Sequence, residues 1–371
     1  MSEFSVFDSQ MMARAITLAK KGMYTTAPNP NVGCVITKNN EIVGEGYHFK
    51  AGEPHAEVHA LRMADKKAHG ATAYVTLEPC SHYGRTPPCA EGLINAGVSK
   101  VICAMQDPNP QVSGRGIKML QEAGIEVLVG LLESDADDLN PGFIKKMKTG
   151  MPFIQLKMGA SLDGQTALSN GQSQWITSSE SRKDVQRFRA LSGSILSTSK
   201  TVIDDNASLN IRYNELPDHV RHVLPESQLR QPPRVILDRQ GSLAEQSTPL
   251  NLFQKGNPPV VVNIHGDIAP TLHIEKIDLP STLRKVSDQY NINHIWVEAG
   301  STLASALIKA QLVDELVIYL APKLMGSDGR GLIGALGLEN MDEIFNMSFT
   351  DVRQIGQDIR VIAKIQYNSS H

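Results

Sequence analysis

Four side chains in two short stretches have the types and spacing for hydrolytic metal chemistry: His55 and Glu57 in PHAEVHA, and Cys80 and Cys89 in EPCSHYGRTPPC. One neutral imidazole and two thiolates suit zinc and offset its charge. A catalytic zinc site keeps three protein ligands and leaves the fourth position to water. Zinc lowers the pKa of that water towards neutrality, so a nearby carboxylate can serve as proton shuttle. Glu57 follows His55 by two positions, which is roughly 200° around an α-helix. Both side chains therefore reach one metal only where the helix is just beginning.

Two plainer readings use the same residues: a closed structural zinc, which would need a fourth protein ligand, or packed thiols with no metal. His59 stands four residues after His55, but a helical metalloprotease places glutamate directly after the first histidine, and that position is Ala56. Cys34 and Cys103 fall inside apolar strand-like runs and read as buried thiols.

The H-x-E…P-C order resembles that of the zinc nucleobase deaminases, where the glutamate is general acid/base and not a ligand. The usual Cys-x-x-Cys spacing is replaced by Cys80, the loop SHYGRTPP and then Cys89. That loop carries His82 and Arg85, two groups suited to an anion.

These residues need a scaffold, and 371 residues predict two domains. Hydrophobic residues at 41% and charged residues at 20% describe a globular chain, and a net charge of -3 argues against a broad nucleic-acid or membrane surface. Neither a leader-like N-terminus nor an apolar run long enough for a membrane helix is present. The expectation is a cytoplasmic enzyme with reduced thiols.

Met11, Met12, Ala15, Ile16 and Ala19 recur at helical spacing, and NVGCVIT and EIVGEGY flank KNN as a hairpin. A helix over about 55–67, the strand TAYVTL, a helix after Cys89, the strand KVICAM, the helix GIKMLQEAG and the strand IEVLVG complete an α/β order. The domain boundary is placed at KKMKTGMP, giving domains 1–150 and 151–371. The second domain reads as strands near Phe153, Ser194, Arg234, Val260, His294 and Glu315 and a final DIRVIAKIQY, with 214–233 as a long surface loop. It holds no G-x-G-x-x-G. In IWVEAGSTLASAL a strand meets Gly300 and then a helix opening at Ser301 and Thr302. That is either a phosphate-binding helix start or an ordinary strand-to-helix turn.

The motifs TTAPNPNVGCVI, GEGYH, GEPHAEVHAL, VTLEPCSHYGRTPPC and MQDPNPQVSGRG together resemble the deaminase half of the bifunctional riboflavin-biosynthesis deaminase/reductase family. IQLKMGASLDGQTA, SQWITS, TVIDDNASLNIR, WVEAGSTLASALI and APKLMGSDGRG resemble its reductase half. The resemblance implies a cytidine-deaminase-like α/β/α sandwich followed by a dihydrofolate-reductase-like α/β domain. It implies zinc-dependent deamination of 2,5-diamino-6-(5-phosphoribosylamino)pyrimidin-4-one, then NADPH-dependent reduction of the ribosyl group to ribityl.

Carried over by residue, the resemblance puts zinc on His55, Cys80 and Cys89 and proton transfer on Glu57. Asn29, His48, His82 and Arg85 become contacts to the substrate, although Asn29 between two prolines also suits a plain turn. In the reductase half it assigns the cofactor to Gly159, Trp175, Thr201, Asp205 and the run Gly300, Ser301, Thr302, Leu303, Ala304, Ser305 and Ala306. Lys157, Ser173, Arg189, Leu209, Arg212 and Glu298 fall to the substrate, with arginine suited to a phosphate. Lys157 and Asp205 are both able to supply the proton that accompanies hydride transfer, and Ser199, Lys200 or Arg239 to read a cofactor 2′-phosphate. The partners implied are a small phosphorylated pyrimidine and further copies of the chain, not nucleic acid or membrane. The rival, a cytosine or adenosine deaminase fused to an unrelated nucleotide-binding module, lacks the basic stripes it would need.

Overall fold

Alternation of apolar residues builds the first sheet, and a two-residue turn starts it. Asn39 and Asn40 both take positive φ, 53° and 63°, the conformation that lets a tight hairpin follow the strand twist. The structure is a computed structural model describing residues 4–83, 87–246, 248–263, 271–273 and 278–367. The chain divides into two units, Met1–Met151 and Pro152–His371.

The first unit has strands β1 (Gly33–Lys38), β2 (Glu41–Tyr47), β3 (Thr72–Val75), β4 (Lys100–Cys103) and β5 (Glu126–Val129). Its helices are α1 (Val6–Ala19), α2 (Ala56–Ala64), α3 (Cys89–Asn95), α4 (Arg115–Glu122), α5 (Glu133–Asp137) and α6 (Pro141–Thr149). The sheet order is β2-β1-β3-β4-β5. β1 is antiparallel to both neighbours, and β3, β4 and β5 run parallel.

Successive side chains face opposite ways, so each strand serves two cores. Cys34, Ile36, Val75 and Cys103 pack with Ala56 and Ala60 of α2, Leu93 of α3 and Leu120 of α4. Val35, Tyr74 and Ile102 pack with Met12 and Ala15 of α1, Ala136 of α5 and Ile144 of α6. The result is an α/β/α sandwich, with Cys34 and Cys103 as buried free thiols.

The second unit contains β6 (Phe153–Ser161), β7 (Gln165–Ala167), β8 (Ser194–Thr198), β9 (Arg234–Leu237), β10 (Val260–Asn263) and β11 (Thr271–His273). After them come β12 (His294–Glu298), β13 (Glu315–Ala321), β14 (Arg330–Gly331), β15 (Asn346–Ile355) and β16 (Asp358–Gln366). Its helices are α7 (Ser179–Leu191), α8 (Ser199–Asp205), α9 (Asp218–Arg221), α10 (Asn251–Gln254), α11 (Leu279–Gln289) and α12 (Ser301–Lys309).

A nine-stranded sheet runs β11-β10-β9-β8-β12-β6-β13-β16-β15. It is parallel from β11 to β13, and the β15–β16 hairpin adds antiparallel strands. β9 and β10 are buried along their whole length, as expected where both faces are covered, whereas β6 alternates between buried and half-buried residues. Phe188 of α7 stacks on Trp296 of β12, with ring centroids 4.8 Å apart and planes 6° from parallel.

Two readings change. The expected surface loop 214–233 is anchored, since Leu216, Val220 and Leu224 are each at most 1% exposed, and its prolines mask that four-residue spacing. β15, NMSFTDVRQI, was not anticipated because it is an exposed edge strand whose alternation of Met347 and Phe349 is interrupted by a bulge between Phe349 and Asp351.

One close contact decides where α2 lies. A Cβ at Gly46 would stand 2.5 Å from the Ala56 carbonyl oxygen, and one at Gly44 2.2 Å from that of Ala60. We expect Gly46→Ala to lower the unfolding free energy of the first unit by about 1–3 kcal/mol, measured by denaturant titration. Gly92→Ala on α3, whose nearest atom would be Leu61 Cδ1 at 3.6 Å, is expected to cost nothing.

Candidate functional site

Seating α2 on the glycines of β2 puts its N-terminus at the strand ends. His55 is the N-cap, with φ -73° and ψ 168°, and Glu57 lies in the first turn. The extended N-cap breaks the helical angular relation, so His55 and Glu57 reach the same point. Cys89 opens α3, and Cys80 accepts the Cys89 backbone N–H on its sulfur at 3.3 Å.

His55 Nδ1 lies 3.3 Å from Cys89 Sγ and 3.6 Å from Cys80 Sγ. The three ligand atoms fall within 4.8 Å of one another, and they form the one such cluster of ligating side chains among the described residues. Tetrahedral zinc with bonds of about 2.1 Å to nitrogen and 2.3 Å to sulfur separates its ligands by about 3.6 Å. The donor set and spacing fit that ion.

The charges fit as well. Hydrogen bonds from Cys89 and His55 pull the Cys80 thiol down to about 4 despite burial. Cys80 and burial push Cys89 up. Glu57 is 3% exposed, and its Oε2 has no hydrogen-bond partner. Burial and then the Cys80 charge raise its carboxyl to about 7, the range in which a group can both take and give a proton near neutrality.

Asn29 and His48 meet beside this cluster. Asn29 Nδ2 donates to His48 Nε2 at 3.2 Å, and His48 Nδ1 donates to the Pro54 carbonyl at 3.2 Å. Each bond implies the same neutral tautomer, and burial lowers the His48 pKa. The His48 ring packs edge-on to His55 at 5.4 Å. His82 is exposed at the start of the inserted loop; Arg85 lies outside the described residues.

In the second unit a cleft of ≈ 1910 Å³ opens at the carboxyl ends of β8, β9 and β12, the usual ligand position on a parallel sheet. A drug-sized ligand fills about 300–1,000 Å³, so the cleft has room for two molecules. Gly159, Trp175, Thr201 and Asp205 line it, as do Gly300, Ser301, Thr302, Leu303 and Ala306. Lys157, Ser173, Arg189, Leu209, Arg212 and Glu298 line it too, as do Ser199, Lys200 and Arg239.

Ala304 and Ser305 do not line the cleft. Ala304 is fully buried, while the Ser305 hydroxyl donates to the Ser301 carbonyl and accepts the Gly334 N–H. Gly300 caps α12 without a side chain, and a Cβ there would meet nothing within 4 Å. That leaves space for a phosphate against the first-turn amides, so the residues present fit a dinucleotide.

Both arginines are already paired. Arg189 donates Nε and Nη2 to Glu298 at 2.6 and 3.0 Å, and Trp296 Nε1 donates to the same carboxylate at 2.9 Å. Arg212 forms an exposed bidentate pair with Glu215 at 2.6 and 2.7 Å. Burial lowers the Lys157 pKa against the pull of Glu298 and Asp205. Gln174 Nε2 is 3.5 Å from Asp205. Arg182 was not foreseen; it stacks over Trp175 at 4.7 Å, and its position one heptad before Arg189 on α7 was the available signal.

The first unit has the site of a hydrolytic zinc deaminase and the second a two-ligand α/β cleft, which together define a bifunctional enzyme. The family model for the cytidine and deoxycytidylate deaminase zinc-binding region matches residues 5–105, and that for the RibD C-terminal domain matches residues 152–361. The riboflavin biosynthesis protein RibD of Escherichia coli is 52% identical over 363 residues, covering 95% of this chain and 98% of its own. That of Haemophilus influenzae is 52% identical over 368 residues, covering 97% and 98%.

Among solved structures, Acinetobacter baumannii RibD superposes with TM-score 0.89 at 45% identity, covering 97% of this chain and 99% of its own. A Thermotoga maritima diaminohydroxyphosphoribosylaminopyrimidine deaminase/5-amino-6-(5-phosphoribosylamino)uracil reductase gives 0.84 at 32% identity with the same coverage. The chain belongs to the RibD family of riboflavin biosynthesis proteins, and is a deaminase and reductase in one polypeptide.

The buried pair yields a pH prediction. Burial opposes ionisation of Glu298, but the Arg189 charge overrides it and holds the carboxyl at about 2, below the ordinary 4.5. A depressed folded-state pKa stabilises above the unfolded value and is lost on acidification. Removing one partner of a buried pair costs about 3–5 kcal/mol. Glu298→Gln is therefore expected to be less stable than wild type by that order at neutral pH. In denaturant titrations the gap should narrow as pH falls through 4.5 towards 2.

Proposed function

We propose that the first unit deaminates 2,5-diamino-6-(5-phosphoribosylamino)pyrimidin-4-one and that the second reduces the ribosyl group of the product to ribityl with NADPH. The buried, unpartnered Glu57 Oε2 beside the His55–Cys80–Cys89 cluster carries the reading. His55, Cys80 and Cys89 would hold zinc, which when bound would supply the Lewis acidity that activates a water near neutrality. Glu57 takes the proton of the attacking water, delivers it to the adjacent ring nitrogen, and then carries a second proton to the departing amine. Asn29 and His48, locked to each other, orient the pyrimidine and its ribose, and His82 and Arg85 meet the phosphate.

In the cleft, NADPH when bound would supply the hydride. The α12 N-terminus with Gly159, Trp175, Thr201 and Asp205 binds it, while Lys157, Ser173, Leu209 and the paired Arg189 and Glu298 face the sugar. Arg212 is able to exchange its exposed Glu215 for the substrate phosphate. Lys157 and Asp205 are the groups able to hold the proton that accompanies reduction of the opened sugar.

The four free cysteines suit a reducing cytoplasm, and no helix among the described residues is long and apolar enough to cross a membrane. Self-association through β15 is supported by its open edge and by Phe349 and Val352, 72% and 58% exposed.

Three tests follow from these assignments. Ammonia should appear from the diaminopyrimidinone without cofactor, and NADPH should be consumed only once it is added; silence in both assays with zinc present overturns the substrate. Glu57→Ala should retain zinc by atomic absorption, lose at least a hundred-fold in deamination, and reduce pre-deaminated substrate at the wild-type rate. Phe349→Glu should lower the sedimentation coefficient towards that of a single chain, and an unchanged coefficient would count against β15.

A further inference from the structure

Glu78, directly before Pro79 and Cys80, is a buried carboxylate with no part in the chemistry described above. It is 6% exposed, and its four partners are all backbone amides of one segment. Oε2 accepts from the Asp107 and Gly114 N–H groups at 3.0 and 2.9 Å, and Oε1 from those of Gly116 and Ile117 at 2.8 and 3.3 Å. Its own N–H donates to the Met105 carbonyl at 3.0 Å. Gly114 is the N-cap of α4 and has no side chain to cap with. Glu78 therefore caps that helix from another part of the chain and places a negative charge where the helix dipole favours one.

Two residues further on, the same segment meets a second helix start. The Cys80 carbonyl accepts the Ala90 N–H at 3.2 Å, and its sulfur accepts the Cys89 N–H at 3.3 Å; both amides belong to the first turn of α3. Pro79, between the two anchors, is tightly enclosed, since a Cβ at Gly116 would stand 2.0 Å from its carbonyl oxygen. Residues 78–80 thus span two helix N-termini, and the position of the Cys80 sulfur follows from both.

We infer that Glu78 is a positioning residue for the metal centre. Its carboxylate, gripped by the α4 amides, fixes the Pro79–Cys80 turn so that Cys80 is held at ligating distance from His55 and Cys89. The inference rests on the zinc reading of those three residues. Glu78 acts through Cys80 and touches neither metal nor substrate. Replacing the carboxylate with an amide turns one accepting atom into a donor that faces two N–H groups, which loosens the turn without removing a ligand.

The test is the rate of zinc release from the full-length protein to an excess of a chromogenic chelator, well below the unfolding transition, with denaturant titration of the first unit as the check of its folding. Glu78→Gln should release zinc roughly ten- to hundred-fold faster than wild type and lower deaminase kcat more than it raises KM, with reductase activity unchanged. Leu120→Ala, which removes a fully buried side chain from α4 but keeps the carboxylate, should be at least as destabilised yet release zinc near the wild-type rate.

Gly116→Ala, which presses on Pro79 directly, should accelerate release in the same direction, and it carries the test if Glu78→Gln does not fold. Wild-type release from Glu78→Gln, or equal acceleration in Leu120→Ala, overturns the positioning role. A wild-type chain that binds no zinc overturns the metal reading itself, a separate and distinguishable failure.

Discussion

Three ligand atoms from separate segments have to arrive within a few ångström of one another, and the close approach of α2 to β2 makes that possible. The helix rests on two glycines whose missing side chains let the carbonyl oxygens of Ala56 and Ala60 reach the strand. Its N-terminus, and with it His55, is thereby set against the α3 start that carries Cys89. Because His55 is the extended N-cap and Glu57 lies in the first turn, the carboxylate is brought to the cluster although no helical stripe contains both. The sheet and both of its cores serve to hold that arrangement still.

The second unit solves a different problem by different means. Its parallel strands end together, and the cleft forms where their carboxyl ends and the following loops leave space. Charges there are balanced within the protein: Glu298 is shared by Arg189 and Trp296, and Asp184 receives Tyr319 at 2.8 Å and Arg360 at 2.6 Å from neighbouring strands. These buried pairs tie α7 to β12, β13 and β16, so the wall that faces the ligands is fixed by electrostatics as well as by the Phe188–Trp296 stack. Partial burial without pairing would carry a desolvation cost of several kcal/mol per ion.

Much of this was legible in the sequence, for identifiable reasons. The alternation in NVGCVIT and EIVGEGY sets strand faces directly, and KNN had the residue types for a tight turn. The His55–Cys80–Cys89 cluster was readable because histidine and cysteine at those spacings have few other uses. What escaped depends on contacts between distant segments. Glu78 looks like any carboxylate before a proline, and its significance comes from amides some thirty residues later. Leu216, Val220 and Leu224 were hidden by surrounding prolines, and β15 by the bulge that interrupts its alternation after Phe349. Ala304 and Ser305 were grouped with the cleft because they belong to one continuous run, but successive helix residues rotate by about 100°, and these two are turned to the interior.

The two sites also differ in what their polar atoms are complementary to. In the first, two cysteine sulfurs and an imidazole nitrogen crowd within 4.8 Å of one another and a buried carboxyl oxygen lacks a partner, a set of donors that matches a dication more closely than it matches itself. In the second, most charged groups lining the cleft already have partners, so the cleft has its shape before any ligand arrives. Pre-organisation of that kind lowers the entropy cost of holding cofactor and sugar in register. A paired arginine also contacts a phosphate without leaving an unpaired charge in the protein when the ligand departs. The exposed Arg212–Glu215 pair is the more readily exchanged of the two, and the buried Arg189–Glu298 pair is the more rigid. On the proposed assignment, phosphate capture would therefore fall to Arg212 and sugar positioning to Arg189 within one cleft.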